Sequence, residues 1–136
     1  MLRMIWTEDM SVNVGVLDDD HKKVFDMINE LEEVIMAGHS RKVLENTLDR
    51  LMEYTMIHLG REEEYFARTG YLDAVPHMKE HARMVKRVEN LRGRFEDGST
   101  AQLSLELRSF LQNWWIAHIQ GFDKLYVAFL NANGIF

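Results

Sequence analysis

Apolar residues recur along most of this chain every three to four positions, the spacing that gathers them on one face of an α-helix. Between about 18 and 37 the inner positions are His21, Val24, Phe25, Ile28, Leu31 and Ile35. Asp18, Asp19 and Asp20 open that stretch, and a carboxylate there accepts from the first free amides of a helix. Gly38 marks its end. From about 41 to 67 the stripe is Leu44, Leu48, Leu51, Thr55, His58 and Glu62, with Gly70 as the stop. From about 74 to 93 it is His77, His81, Met84, Val85 and Val88, with Pro76 in the first turn, where a missing amide costs little. From about 101 to 130 it is Leu103, Leu107, Leu111, Trp114, His118, Leu125 and Phe129. Residues 1–17 read as an irregular arm that Trp6, Val12, Val14 and Val16 pin down. The pattern predicts an all-α, up-down-up-down four-helix bundle with an N-terminal arm, in a single domain over 1–136.

Composition narrows the chemistry. The chain has 136 residues and 46% hydrophobic content, enough for a core. Its net charge of −6 argues against nucleic acid and anionic membrane as partners. No apolar run is long enough for a signal peptide or a membrane span, so a cytoplasmic location is expected. No exposed apolar stripe stands out, and a monomer is expected. There is no cysteine, which removes disulfides, iron–sulfur clusters and thiolate zinc sites. A buried metal must then use imidazole and carboxylate.

Five of the six histidines, His21, His58, His77, His81 and His118, fall on predicted inner faces; His39 sits in the first turn and reads as surface. A lone histidine on an apolar face is more often a satisfied core residue than a ligand. Five on four helices are different, because each unpaired imidazole costs on the order of 1–3 kcal/mol to bury. A shared metal is the economical partner. His58 and Glu62 in HLGRE are four apart, as are His77 and His81 in HMKEH, so each pair lies on one helix face. His118 and Asp123 in HIQGFD are five apart, which on a regular helix leaves them roughly 140° apart. If Asp123 joins the site, a π-type turn or a local distortion is expected between them, eased by Gly121. Otherwise Asp123 is solvated.

Five imidazoles and two carboxylates exceed the four ligands of zinc. Calcium and magnesium prefer all-oxygen shells, and the mixed set suits iron. On two six-coordinate irons, five histidines, two bridging carboxylates and a bridging oxide or hydroxide leave one of twelve positions open. The Glu-x-x-His pairs of ferritin-like sites and the HExxH of zinc proteases are both absent.

The ordered pattern H…HxxxE…HxxxH…HxxxxD resembles the hemerythrin family. So do Trp6 and the segments LDDDHKKVFDMINEL, HLGREEE, GYLDAVPHMKEH and WWIAHIQGFDKLY, which together cover almost the whole chain. The resemblance implies two irons cycling between Fe2+ and Fe3+. His77, His81 and His118 would hold one, and His21 and His58 the other, which keeps the vacancy. Glu62 and Asp123 would bridge them. In the family, dioxygen binds end-on at the vacancy. Two departures concern the candidate oxygen pocket of Leu59, Trp114 and Trp115. Leu59 stands where the family commonly has phenylalanine, and Trp115 where relatives have a pocket-lining leucine.

The resemblance implies reversible dioxygen binding for delivery, storage or sensing, and no catalytic residue. The alternatives are a di-iron peroxidase or oxidase, the sensing domain of a larger signalling protein, or a merely metal-stabilised bundle. An oxygen-consuming enzyme or a signalling domain would be the partner. Tyr54, Tyr65 and Tyr126 read as packing, and no ionisable residue beyond the seven ligands is expected on the inner faces. That favours binding over turnover.

Overall fold

The structure is a computed structural model that describes residues 4–38 and 40–136. His39 and the first three residues of the arm lie outside the described residues. Four helical rods form the expected four-helix bundle. They are α1 (Gly15–Met36), α2 (Arg41–Thr69), α3 (Ala74–Gly93) and a fourth, segmented rod. The fourth runs through α4 (Thr100–Ser109), a π-helical stretch (Phe110–Trp115), α5 (Ile116–Gly121), a 3-10 turn (Asp123–Tyr126) and α6 (Val127–Ala132). α1 packs on α2 and α4, and α2 packs on α3.

Local chemistry sets the ends. Ser40 and Ser99 cap α2 and α4, each hydroxyl accepting from an amide three residues on, Val43 and Gln102. α2 stops at Gly70, whose φ of 69° lies in the left-handed region that glycine enters without a Cβ clash. α1 begins earlier than the aspartate run suggests. Asp18 is already inside it and reaches back, accepting from Val12 N at 2.8 Å and Ser11 Oγ at 2.6 Å. The carboxylate thus ties the arm to the helix rather than starting the helix. Lys124 adds a second tie by donating to the carbonyls of Asp9 and Ser11. Val12 and Val14 are fully buried and Trp6 packs edge-on against Phe25, but Val16 is 37% exposed.

The core has two apolar clusters. The larger holds Val24, Ile28, Leu48, Leu51, Met84, Val88, Leu107 and Leu111; the smaller holds Val12, Val14, Leu17, Phe66, Tyr71, Tyr126 and Leu130. Burying each large aliphatic side chain contributes about 1.5–3 kcal/mol. Along every rod the histidines and acids fall between residues of the two clusters. On α1 the order is Leu17, His21, Val24; on α3 it is Ala74, His77, His81, Met84. The bundle therefore encloses one polar layer between two apolar ones.

The fourth rod departs from the expected stripe. Ile116 N–H reaches Leu111 O, five residues back, so the wide turn absorbs an extra residue and shifts the phase. Trp115 is then 1% exposed, while Trp114 is only half-buried. Further on, Leu125 is exposed and Phe129 half-buried. On α2 and α3, Met56 and Met78 are exposed and line a groove with Val85 and Ala82, an apolar surface the expectation of a monomer did not include.

Candidate metal centre

α1 contributes His21, α2 His58 and Glu62, α3 His77 and His81, and the fourth rod His118 and Asp123. All seven side chains are buried. The ligand atoms of Glu62, His77, His81, His118 and Asp123 lie within 4.8 Å of one another, as do those of His21, His58, Glu62 and Asp123. The two groups share Glu62 and Asp123, so the carboxylates stand between a three-histidine side and a two-histidine side.

Asp123 faces both sides. Its Oδ2 is 3.1 Å from His21 Nε2, and its Oδ1 is 3.0 Å from His77 Nε2 and 3.1 Å from His118 Nε2. Glu62 Oε1 is 3.1 Å from His81 Nε2 and 3.5 Å from His58 Nε2. These approaches are close, yet several do not make hydrogen bonds. Glu62 Oε1, both Asp123 carboxylate oxygens and the Nε2 atoms of His21, His77, His81 and His118 are buried without a hydrogen-bond partner among the described residues. They lie close together without bonding one another. A buried polar atom without a partner is costly. So many in one layer fit a cation with nitrogen and oxygen ligands, and this donor set fits iron.

Of the two forms expected between His118 and Asp123, a π-type turn or a local distortion, the structure has the second. The π stretch lies before His118, not between the two. α5 ends at Gly121, Phe122 N–H bonds back to His118 O at 2.8 Å, and a 3-10 turn starts at Asp123. The break in the helix supplies the local distortion that brings Asp123 to His118.

A second ring of polar groups orients the first. Tyr126 donates to Glu62 Oε2 at 2.6 Å. Asp20 Oδ2 pairs with His58 Nδ1 at 2.9 Å and with Arg61, while its carbonyl accepts from Tyr54 at 2.6 Å. Glu63 Oε2 pairs with His81 Nδ1 at 2.8 Å. Such outer contacts fix ring orientation and ligand basicity. Asp20 and Glu32 are buried acids beyond the seven, contrary to expectation; Glu32 accepts from Gln112 and Arg108, away from the centre. Tyr54 and Tyr126 are polar partners, not packing alone. The clue in the sequence was adjacency: Asp20 precedes His21 and Glu63 follows Glu62, so each is presented one position off the ligand face.

Electrostatics suit cation capture. Burial opposes charge on Asp123, but His118, His21 and His77 outweigh it and hold the carboxyl well below its ordinary range. Burial and the charge on Asp123 push Glu62 up, yet His58 and His81 bring it below its usual value. Burial pulls His21 and His81 down, but Asp123 lifts the first and Glu62 and Glu63 the second above the ordinary imidazole value. Burial, with Glu62 and Asp123 adding to it, pushes the Tyr126 phenol well up, so it remains a donor.

The three proposed pocket residues have different neighbours, although Trp114 and Trp115 share Phe110. Leu59 is buried in the larger cluster and lines the α2–α3 groove with His81 and Glu63. Trp114 stacks on His118 with ring centroids 6.3 Å apart. Trp115 packs on Phe110 and Tyr54, and Tyr54 stacks on His58.

The family model of the hemerythrin HHE cation binding domain matches residues 12–130. A bacteriohemerythrin of Methylococcus capsulatus is 35% identical over 97% of this chain and 100% of its own length. One from Stenotrophomonas maltophilia is 32% identical over 93% of this chain and 80% of its own. A crystal structure of wild-type hemerythrin superposes with a TM-score of 0.81 at 32% identity, covering 95% of this chain and 98% of the other.

Proposed function

The chain belongs to the hemerythrin family, and from that premise we propose that it binds dioxygen reversibly at a non-haem di-iron centre. His77, His81 and His118 would hold one iron and His21 and His58 the other, with Glu62 and Asp123 serving both. The observation that carries this reading is the polar layer of buried, unpartnered nitrogen and oxygen atoms, divided into two groups that share both carboxylates. The two-histidine side has one protein ligand fewer, which leaves it the side for dioxygen.

An iron pair supplies the electrons that dioxygen takes up on binding and returns on release. The chain's own groups do the rest. Tyr126 holds Glu62 in place. Asp20 and Glu63 each fix the tautomer of one histidine by accepting its Nδ1 proton, which leaves Nε2 to face the metal. The apolar clusters keep water from both sides of the layer, and a dry site slows proton delivery and loss of reduced oxygen. Trp115, buried against Tyr54, is a wall of that dry region.

The reading makes the protein a binder of dioxygen, for delivery, storage or sensing, rather than an enzyme. The phenols of Tyr126 and Tyr54 are already committed, to Glu62 and to the Asp20 carbonyl, so neither is a free acid for turnover. The test is spectroscopic. Protein reduced without oxygen should contain about two irons per chain, develop a visible charge-transfer band on exposure to oxygen, and lose it on deoxygenation. One metal per chain, or no reversible colour, defeats the reading. Steady peroxide-dependent oxidation of an added reductant would replace the binding reading with a peroxidase.

A further inference from the structure

Each side of the polar layer has one histidine backed by a carboxylate, and the two carboxylates stand in different surroundings. On the two-histidine side, His58 Nδ1 is 2.9 Å from Asp20 Oδ2. On the three-histidine side, His81 Nδ1 is 2.8 Å from Glu63 Oε2. The two contacts are nearly equal in length, so the difference lies behind the acids. Glu63 lines the open α2–α3 groove, where water meets its charge, and it pairs with no lysine or arginine among the described residues. Asp20 is buried, with only 4% of its side chain exposed.

Arg61 supplies what water cannot. In HLGRE it comes one position before Glu62, so α2 turns it off the ligand face, and it reaches Asp20 on α1. Its Nη1 donates to Asp20 Oδ2, the same oxygen that faces His58. No second carboxylate pairs with Arg61 among the described residues. Lys23 stands 3.9 Å from Asp20 Oδ1, but its side chain is 64% exposed and solvent screens it. Tyr54 donates to the Asp20 carbonyl at 2.6 Å and steadies the residue between its two partners. A carboxylate that accepts a proton from one imidazole nitrogen makes the other a stronger donor to metal. A guanidinium on the same oxygen draws that charge away. His58 thus has a neutralised acid behind it, and His81 a charged one.

We propose that Arg61 is a positioning residue for dioxygen binding, which acts through Asp20 to make His58 a weaker donor than His81. The inference rests on the di-iron reading above. Reversible binding needs a centre that gives electrons to dioxygen and takes them back. A strongly donating ligand set on the two-histidine side favours the oxidised state, so that oxygen is held too tightly and the centre autoxidises. By muting Asp20, Arg61 loosens that hold and slows the loss. Its position in the chain, between His58 and Glu62, gives the two-histidine side a control that the three-histidine side lacks.

The test compares charge with shape. Arg61→Met and Arg61→Gln remove the charge, and Arg61→Lys keeps it. In metal-free protein, proton NMR of the His58 Nδ1–H reads the bond to Asp20. That resonance should move downfield in the two uncharged variants, as Asp20 becomes the stronger acceptor, and stay near its wild-type position in Arg61→Lys. In protein saturated with iron, the uncharged variants should hold oxygen about tenfold tighter and autoxidise faster, while the lysine variant stays close to wild type. The midpoint potential should fall by about 59 mV, the equivalent of tenfold for one electron. In an Asp20→Asn background the charge that Arg61 mutes is gone, so removing Arg61 there should change affinity and potential little. An unchanged potential in Arg61→Met and Arg61→Gln overturns the inference. So does an equal fall in Arg61→Lys, which would make Arg61 a matter of fit, or an effect of full size without the Asp20 carboxylate. Wild-type protein that loads no iron defeats the functional reading instead, and the metal-free resonance still reports whether Arg61 acts on His58 through Asp20.

Discussion

At the residue scale, the metal site depends on atoms that never touch metal. Tyr126→Phe deletes one oxygen and leaves Glu62 Oε2, deep in the protein, without its 2.6 Å donor. A buried acceptor left unpaired costs about 1–3 kcal/mol, so urea unfolding of the variant should show a loss of that size. Asp20→Asn keeps the shape but no longer enforces one tautomer of His58, and iron affinity should fall about 10–100-fold in a competition assay. Glu63, which holds His81 from a half-exposed position, should matter in the same direction. Acidity gives a third expectation. The pKa values of His21 and His81 are raised in the metal-free protein, so protons occupy them up to a higher pH than usual. Iron must displace those protons, and its affinity should climb as pH rises through the raised imidazole values. An affinity that does not change across that window would mean these two imidazoles are not ligands.

At the scale of elements, the fourth rod shows how a helix can be irregular for a purpose. Its π stretch turns Trp115 into the core, against Tyr54 and so toward His58. Trp115→Leu should cost about 2–3 kcal/mol through the space it leaves, and should speed oxygen association and autoxidation by opening that wall. Unchanged oxygen kinetics would make Trp115 packing alone. The same rod marks the limit of what the sequence discloses. The first three rods and six of the seven proposed ligands follow from a 3.6-residue period, because His21, His58, Glu62, His77, His81 and His118 fall on predicted inner faces. Asp123 does not share a regular face with His118, and the segmentation of the rod between them depends on tertiary packing that periodicity does not encode. Leu125 reads as core for the same reason and is solvent-exposed. The outer partners were hidden differently. Asp20 looked like a helix start because a run of aspartates is one, but α1 begins at Gly15 and places Asp20 a turn further in, facing α2.

At the scale of the whole molecule, the proposed centre would be a fastener among all four rods, each of which supplies at least one of its groups. Without a cation, the bundle holds a layer of buried polar atoms that satisfy one another poorly. A metal bound by the folded layer finds no such layer in the unfolded chain, so its occupancy would add directly to stability. At ferrous iron about a hundredfold above its Kd the gain is about 2.7 kcal/mol for one site, and a second site adds to it. For a domain of this size each kcal/mol moves the midpoint by roughly 3–5 °C, so chelation should lower Tm by about 10 °C or more. The pH dependence decides whether the fastener is iron or protons. In metal-free protein the raised pKa values of His21 and His81 contribute stability that is present at low pH and lost as pH rises through them. Iron binding runs the other way, since it needs those nitrogens free. The gap in Tm between loaded and metal-free protein should therefore be small in acid and widen toward alkaline pH. A gap that stays constant would mean the layer is held by its own hydrogen bonds, and that the seven side chains are a polar core rather than a ligand set.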